Sequence, residues 1–103
     1  MNILPESRMK VGLLKLELFF PYCHSLKEKR HFLRKIKDKI FAKHKVLVHE
    51  VAHHDKWQRA QLGLALVGHE ATLLSSLIDK IENQIIEYGL GEVIDSQSEI
   101  IDF

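Results

Sequence analysis

Between Met9 and Phe20 the apolar side chains Leu14, Leu16, Leu18 and Phe20 fall on every second residue, with Lys15 and Glu17 between them. That period makes a strand with one buried face. Pro21 ends it, because proline cannot donate to a ladder. The period then changes. Leu26, Phe32, Leu33, Ile36 and Ile40 share one side of a chain turning at 3.6 residues per turn, so a helix follows the strand. Ser25 and Glu28 have the Ser-x-x-Glu spacing of a capping box, which satisfies free amides at a helix start.

The same alternation of periods recurs. Val46 to Val51 is a β-branched run that reads as a second strand, and His53 to Arg59 as a polar turn. Gln61 to Val67 reads as a third strand, with Leu62, Leu64 and Leu66 on one face and Gln61, Gly63 and Ala65 on the other. Leu74, Leu77, Ile78, Ile81, Ile85 and Tyr88 mark a second amphipathic helix, stopped by Gly89 as a left-handed cap. Glu92 to Ile101 alternates weakly and reads as an edge strand. The order predicts an α+β, ferredoxin-like βαββαβ domain: a four-stranded antiparallel sheet with two helices on one face. The other face would carry Val11, Leu13 and Phe19, and exposed apolar sheet surface predicts a partner, here a homodimer or higher homo-oligomer.

At 103 residues the chain makes one small domain, expected over residues 9–103, after a flexible extension over residues 1–8 that holds Pro5 and no periodicity. Apolar residues at 46% and charged residues at 28% argue against disorder. Without an apolar run of about 20 residues, no membrane span is expected. A single cysteine, Cys23, and no signal-peptide pattern point to the cytoplasm.

The charge is unevenly spread. Residues 25–45 hold nine of the fifteen lysines and arginines and only two acids, whereas residues 70–103 hold eight acids and the single base Lys80. Lys27, Arg30, Arg34 and Lys37 form a stripe on the first helix, which could contact successive phosphates or simply be a solvated face. Lys29 is different, because its helical angle points into the middle of the apolar side. It needs a carboxylate or carbonyl partner, and Glu17 or a loop carbonyl is expected.

Two runs carry a resemblance to a known family. They are Ser25-Leu26-Lys27-Glu28-Lys29-Arg30 and Trp57-Gln58-Arg59-Ala60 with Leu62-Gly63, together with Val11 to Leu18 in the first strand. The chain resembles the YlxP-like family of small bacterial proteins, also called domain of unknown function 503, over residues 9–101. The resemblance implies a ferredoxin-like fold and no established activity. Gene neighbourhoods containing ribosome maturation and translation initiation factors imply an RNA-related role. The sequence departs from the family pattern in its first eight residues and in the extra histidines between His44 and His54.

His49-Glu50-Val51-Ala52-His53 spells the His-Glu-x-x-His signature of zinc peptidases. That chemistry needs a helix, where residues four apart share a face. On the strand expected here they stand about 13 Å apart at ~3.3 Å per residue, too far to chelate one metal. No metal or cofactor is therefore expected. Cys23 and His24 lack an orienting third group, and Cys23 reads as an incidental loop residue. No catalytic residue is assigned. Trp57 and Arg59 read either as a core cover paired to an acid or as an interaction anchor.

The expected function is a non-enzymatic accessory factor that has RNA or the ribosome as its partner and binds through the basic helix. The alternatives are a homo-oligomeric protein-interaction or regulatory module, and an enzyme built on the histidine cluster or between subunits.

Overall fold

A computed structural model describes residues 8–103. The extension expected over residues 1–8 lies outside the described residues, apart from Arg8. The elements run β1 (Lys10–Phe19), α1 (Leu26–His44), β2 (His49–Ala52), β3 (Arg59–Gly68), α2 (Ala71–Tyr88) and β4 (Glu92–Asp102). The sheet has the order β2-β3-β1-β4, and every neighbouring pair is antiparallel. This is the α+β ferredoxin-like arrangement that the alternating periods predict.

The buried side of the sheet is built from the even positions of the two central strands. Leu14, Leu16 and Leu18 of β1 stand beside Leu64, Leu62 and Ala60 of β3 in that register. Leu33, Ile36 and Ile40 of α1 and Leu74, Ile78, Ile81 and Ile85 of α2 close over them. The periods of 2 and 3.6 thus meet in one core. Val11, Leu13 and Phe19 lie on the opposite face and are half-buried.

The ends of the elements follow local chemistry. Ser25 Oγ accepts the amide of Glu28 at 3.1 Å and caps α1, while Glu28 Oε1 accepts the amide of His24 at 2.6 Å. Lys45 (φ 58°) and Gly89 (φ 64°) end the two helices in the left-handed region. Gly91 is glycine for a different reason, since a Cβ there would meet the Phe20 ring at 2.6 Å.

Two strand starts differ from expectation by more than one residue. β2 starts at His49 rather than Val46, because Val46 and Val48 are buried without pairing, and ladder contact with β3 begins at His49↔Gly63. β3 starts at Arg59 rather than Gln61, because β1 extends the ladder to Phe19↔Arg59. Among the described residues no helix is long and apolar enough to cross a membrane.

Candidate functional site

The basic stripe of α1 is solvent-facing. Lys27, Arg30 and Arg34 are exposed and Lys37 is half-buried. The other flank of the helix faces α2, where Lys39 Nζ stands 5.1 Å above the Tyr88 ring and His44 meets Gln84. Among the described residues the ion pairs involve Lys10, Lys29, His53 and Arg59, and none involves a residue of the stripe. Four cations within three turns are therefore left without a carboxylate.

Lys29 points inward, as its helical phase requires, and is fully buried. Its ammonium donates to the carbonyls of His53 (2.8 Å) and Arg59 (3.1 Å) and lies 2.9 Å from Glu50 Oε2. Oε2 makes no directed hydrogen bond, so charge attraction alone holds it. The expected loop-carbonyl partner is present, but the carboxylate is Glu50, not Glu17. The reason is parity. Glu17 occupies an odd position of β1 and faces away from the helices, whereas Glu50 faces Lys29 from β2.

Glu17 is buried on the open face by a cluster of its own. It accepts from Arg59 Nε (3.2 Å) and Nη2 (3.0 Å) and from Gln61 Nε2 (3.2 Å), and it lies 2.9 Å from His53 Nε2. Burial pushes its carboxyl upward. The hydrogen bonds from Arg59 and Gln61, with the charges of His53 and Arg59, more than offset this and hold it below the ordinary 4.5. Arg59 thus serves two networks, its carbonyl binding Lys29 and its guanidinium binding Glu17. His53 does the same from a left-handed backbone (φ 65°).

This geometry disposes of the zinc-peptidase pattern. His49 is exposed on β2, Glu50 is held by the Lys29 ammonium, and His53 lies in the following turn with its ring on Glu17. The segment is a strand and a turn, and its Glu is not free to act as a base. Cys23 lies in the loop between β1 and α1, as expected, and is fully buried in the core. Burial raises its thiol above the usual range, the charge of Glu28 adds to this, and Lys29 opposes it. The thiolate needed for nucleophilic work is disfavoured.

Trp57 does not cover the core. It is 53% exposed and, among the described residues, has no stacking or cation partner. The side chain of its neighbour Gln58 donates to the carbonyls of Pro21 (3.1 Å) and Cys23 (3.2 Å), just ahead of α1. The two signature runs therefore meet in space through Lys29 on one side and Gln58 on the other. Much of the signature holds α1 to the β2–β3 turn.

A family model described as "Protein of unknown function (DUF503)" matches residues 11–98. The chain belongs to the DUF503 family. The uncharacterised protein YlxP of Bacillus subtilis is 35% identical to this DUF503 chain over 57 residues, 55% of the chain and 62% of that protein's length. Among solved structures, the de novo designed protein Foldit4 aligns over 92% of this chain and 96% of its own, with a TM-score of 0.49 and 11% identity. LarC2, the C-terminal domain of a cyclometallase involved in the synthesis of the NPN cofactor of lactate racemase, aligns over 91% and 56%, with a TM-score of 0.47 and 12% identity. Both scores are below 0.5, and neither likeness bears on the function of the DUF503 chain.

Proposed function

We propose that this DUF503 protein is a non-enzymatic accessory factor that binds RNA, free or in the ribosome, through Lys27, Arg30, Arg34 and Lys37 of α1. The observation that carries the reading is that, among the described residues, none of the four cations has an acidic partner. Unpaired cations on a rigid helix lose little by meeting phosphates and gain from counterion release. Ten residues of helix place the ends of the stripe about 15 Å apart. With four phosphates engaged, log K falls with log salt at a slope of about −3 on a single strand.

The test is RNA binding and co-sedimentation with ribosomal subunits across a salt series, with and without nuclease. Reversing Arg30, Arg34 and Lys37 to Glu abolishes binding at moderate salt while the fold, read by circular dichroism, persists. Absence of salt-dependent binding by the wild type at low ionic strength refutes the proposal.

A second reading, a homo-oligomeric interaction module, is favoured by the open face. Val67 is 66% exposed and Val51 48%, beside the small residues Gly63 and Ala65, which permit close approach of a second sheet. Sedimentation equilibrium gives a mass above 12.0 kDa under this reading, and a monomer at every concentration rules it out.

A further inference from the structure

We infer that the open face of the sheet packs on the same face of a second copy, about a two-fold axis that runs along the strands between β1 and β3. The inference rests on the oligomeric reading above and adds to it the contact surface and its symmetry.

The strand register places the side chains of this face. Val11 of β1 stands between Val67 of β3 and Ile101 of β4. In the next row Leu13 stands between Ala65 and Glu99. Lys15 follows between Gly63 and Gln97, with His49 of β2 beyond Gly63, and then Glu17 between Gln61 and Asp95. The apolar side chains are therefore gathered at one end of the face and the polar ones at the other. Met9 and Phe103 extend the apolar end. The amide of Phe103 donates to the carbonyl of Met9 at 2.7 Å, and both residues continue the odd, outward parity of their strands. Val67, Ile101, Met9 and Phe103 are all exposed. A contiguous exposed apolar patch of this kind marks a contact surface.

Charge identifies the occupant. A two-fold axis along the strands lays β4 of one copy over β2 of the other. Asp95 and Glu99 of β4 are exposed and, among the described residues, form no ion pair. The outward side of β2 offers them His49 and Val51 and no acid, because Glu50 turns inward to Lys29. An axis across the strands through the same centre would set Asp95 of one copy on Glu99 of the other, and the apolar end on the polar end. Like charges in contact exclude that arrangement.

Shape agrees with the same axis, which sets β1 of one copy over β3 of the other. Val11 then covers Val67, Leu13 covers Ala65, and Lys15 covers Gly63. Gly63 and Ala65 line a hollow with Leu13, Lys15 and Val51. The larger β1 side chains of each copy enter the space that the small β3 residues leave in the other. Lys15 lays its stem over Gly63, with Asp95 and Glu99 diagonal to it in its own sheet to meet the ammonium. Sheets packed in this way keep their strands within about 30° of each other. The face spans roughly 500–600 Å² per copy in projection, so two copies bury above the roughly 1,000 Å² that a specific interface needs. The helices stay on the outer sides of the pair, and the basic stripe of α1 remains accessible.

Sedimentation equilibrium and cross-linking of the full chain provide the test. Val67→Asp and Ala65→Arg alter exposed side chains, so the fold read by circular dichroism persists. Each weakens dimerisation at least about a hundredfold, because the symmetry presents the substitution twice. Gln97 and His49 are exposed in one row at opposite edges of the sheet, and the native Cys23 is buried beyond the reach of a maleimide. In the dimer Gln97 of one copy faces His49 of the other across about 10 Å, whereas the two Gln97 residues stand about 17 Å apart. A short bismaleimide therefore joins Gln97→Cys chains to His49→Cys chains in a mixture, and joins Gln97→Cys chains to each other far more slowly. A dimer that survives both Val67→Asp and Ala65→Arg is held by another surface, which overturns the proposal and leaves oligomerisation standing. Gln97→Cys chains that cross-link to each other as fast as to His49→Cys chains overturn the axis. A monomer at every concentration removes the oligomeric reading itself, and the proposal with it.

Discussion

Replacing Lys29 by Met keeps much of the length of the side chain and removes its charge from the best-buried polar position among the described residues. The ammonium donates to two carbonyls and pairs by charge with Glu50 Oε2 at 2.9 Å. At an effective dielectric of about 20, a charge pair of that length attracts by about 6 kcal/mol. Desolvation of the ammonium takes back much of this, so the pair as a whole is of modest net value. Removing one partner is different. Glu50 is mostly buried and would be left uncompensated, beside two carbonyls that lose their donor. The expected loss is about 3–5 kcal/mol, a large fraction of the roughly 5–15 kcal/mol that holds a domain together. In urea, read by far-ultraviolet circular dichroism, the midpoint falls by about 2–4 M. Adding Glu50→Gln to Lys29→Met removes the stranded charge and recovers at least about 1 kcal/mol, so the two substitutions couple strongly. A Lys29→Met loss below about 1 kcal/mol, or strict additivity with Glu50→Gln, would refute the clamp.

The depressed Glu17 carboxyl makes stability depend on pH. A group whose folded value lies below its unfolded value contributes stability above the unfolded value of about 4.5, and that contribution disappears as pH falls through the folded value. Acid titration of urea stability therefore shows a decline below about pH 4.5 that is shallower in Glu17→Gln; equal slopes in the two proteins would rule out Glu17 as a source. Gly91→Ala drives a Cβ to within 2.6 Å of Phe20 and costs about 1–3 kcal/mol, measured by the same denaturation; an unchanged midpoint would mean that the ring moves aside freely.

Much of the ionic network was half legible. Helical phase alone shows that Lys29 points inward, because it sits among Leu33, Ile36 and Ile40 on the wheel. Phase gives a direction and no destination, so it cannot tell Glu50 from Glu17. Strand parity excludes Glu17 once the buried face of β1 is known. Glu50 emerges only when β2 is seen to begin at His49 and to pair with β3. Gln61 and Arg59 join Glu17 through the register Glu17↔Gln61 and Phe19↔Arg59, a relation between residues forty or more positions apart. Cys23 is legible as a loop residue, but its burial in the core is not, because that depends on how the loop packs.

What amino-acid order determines here is the set of elements and their buried faces. Periods of 2 and 3.6, a capping box and a left-handed glycine are local properties, and their succession leaves the βαββαβ sheet as the arrangement that buries the apolar side of both helices against one face of the sheet. The surplus of cations on α1 is equally local. The tertiary structure decided which charges are consumed and which remain free. Lys29 and Arg59 are spent on Glu50 and Glu17, whereas Lys27, Arg30, Arg34 and Lys37 find no acid among the described residues. It also decided that Trp57 stays in water instead of sealing the core. Pairing depends on distances across the fold, and those are set by register and packing together, which no single segment contains.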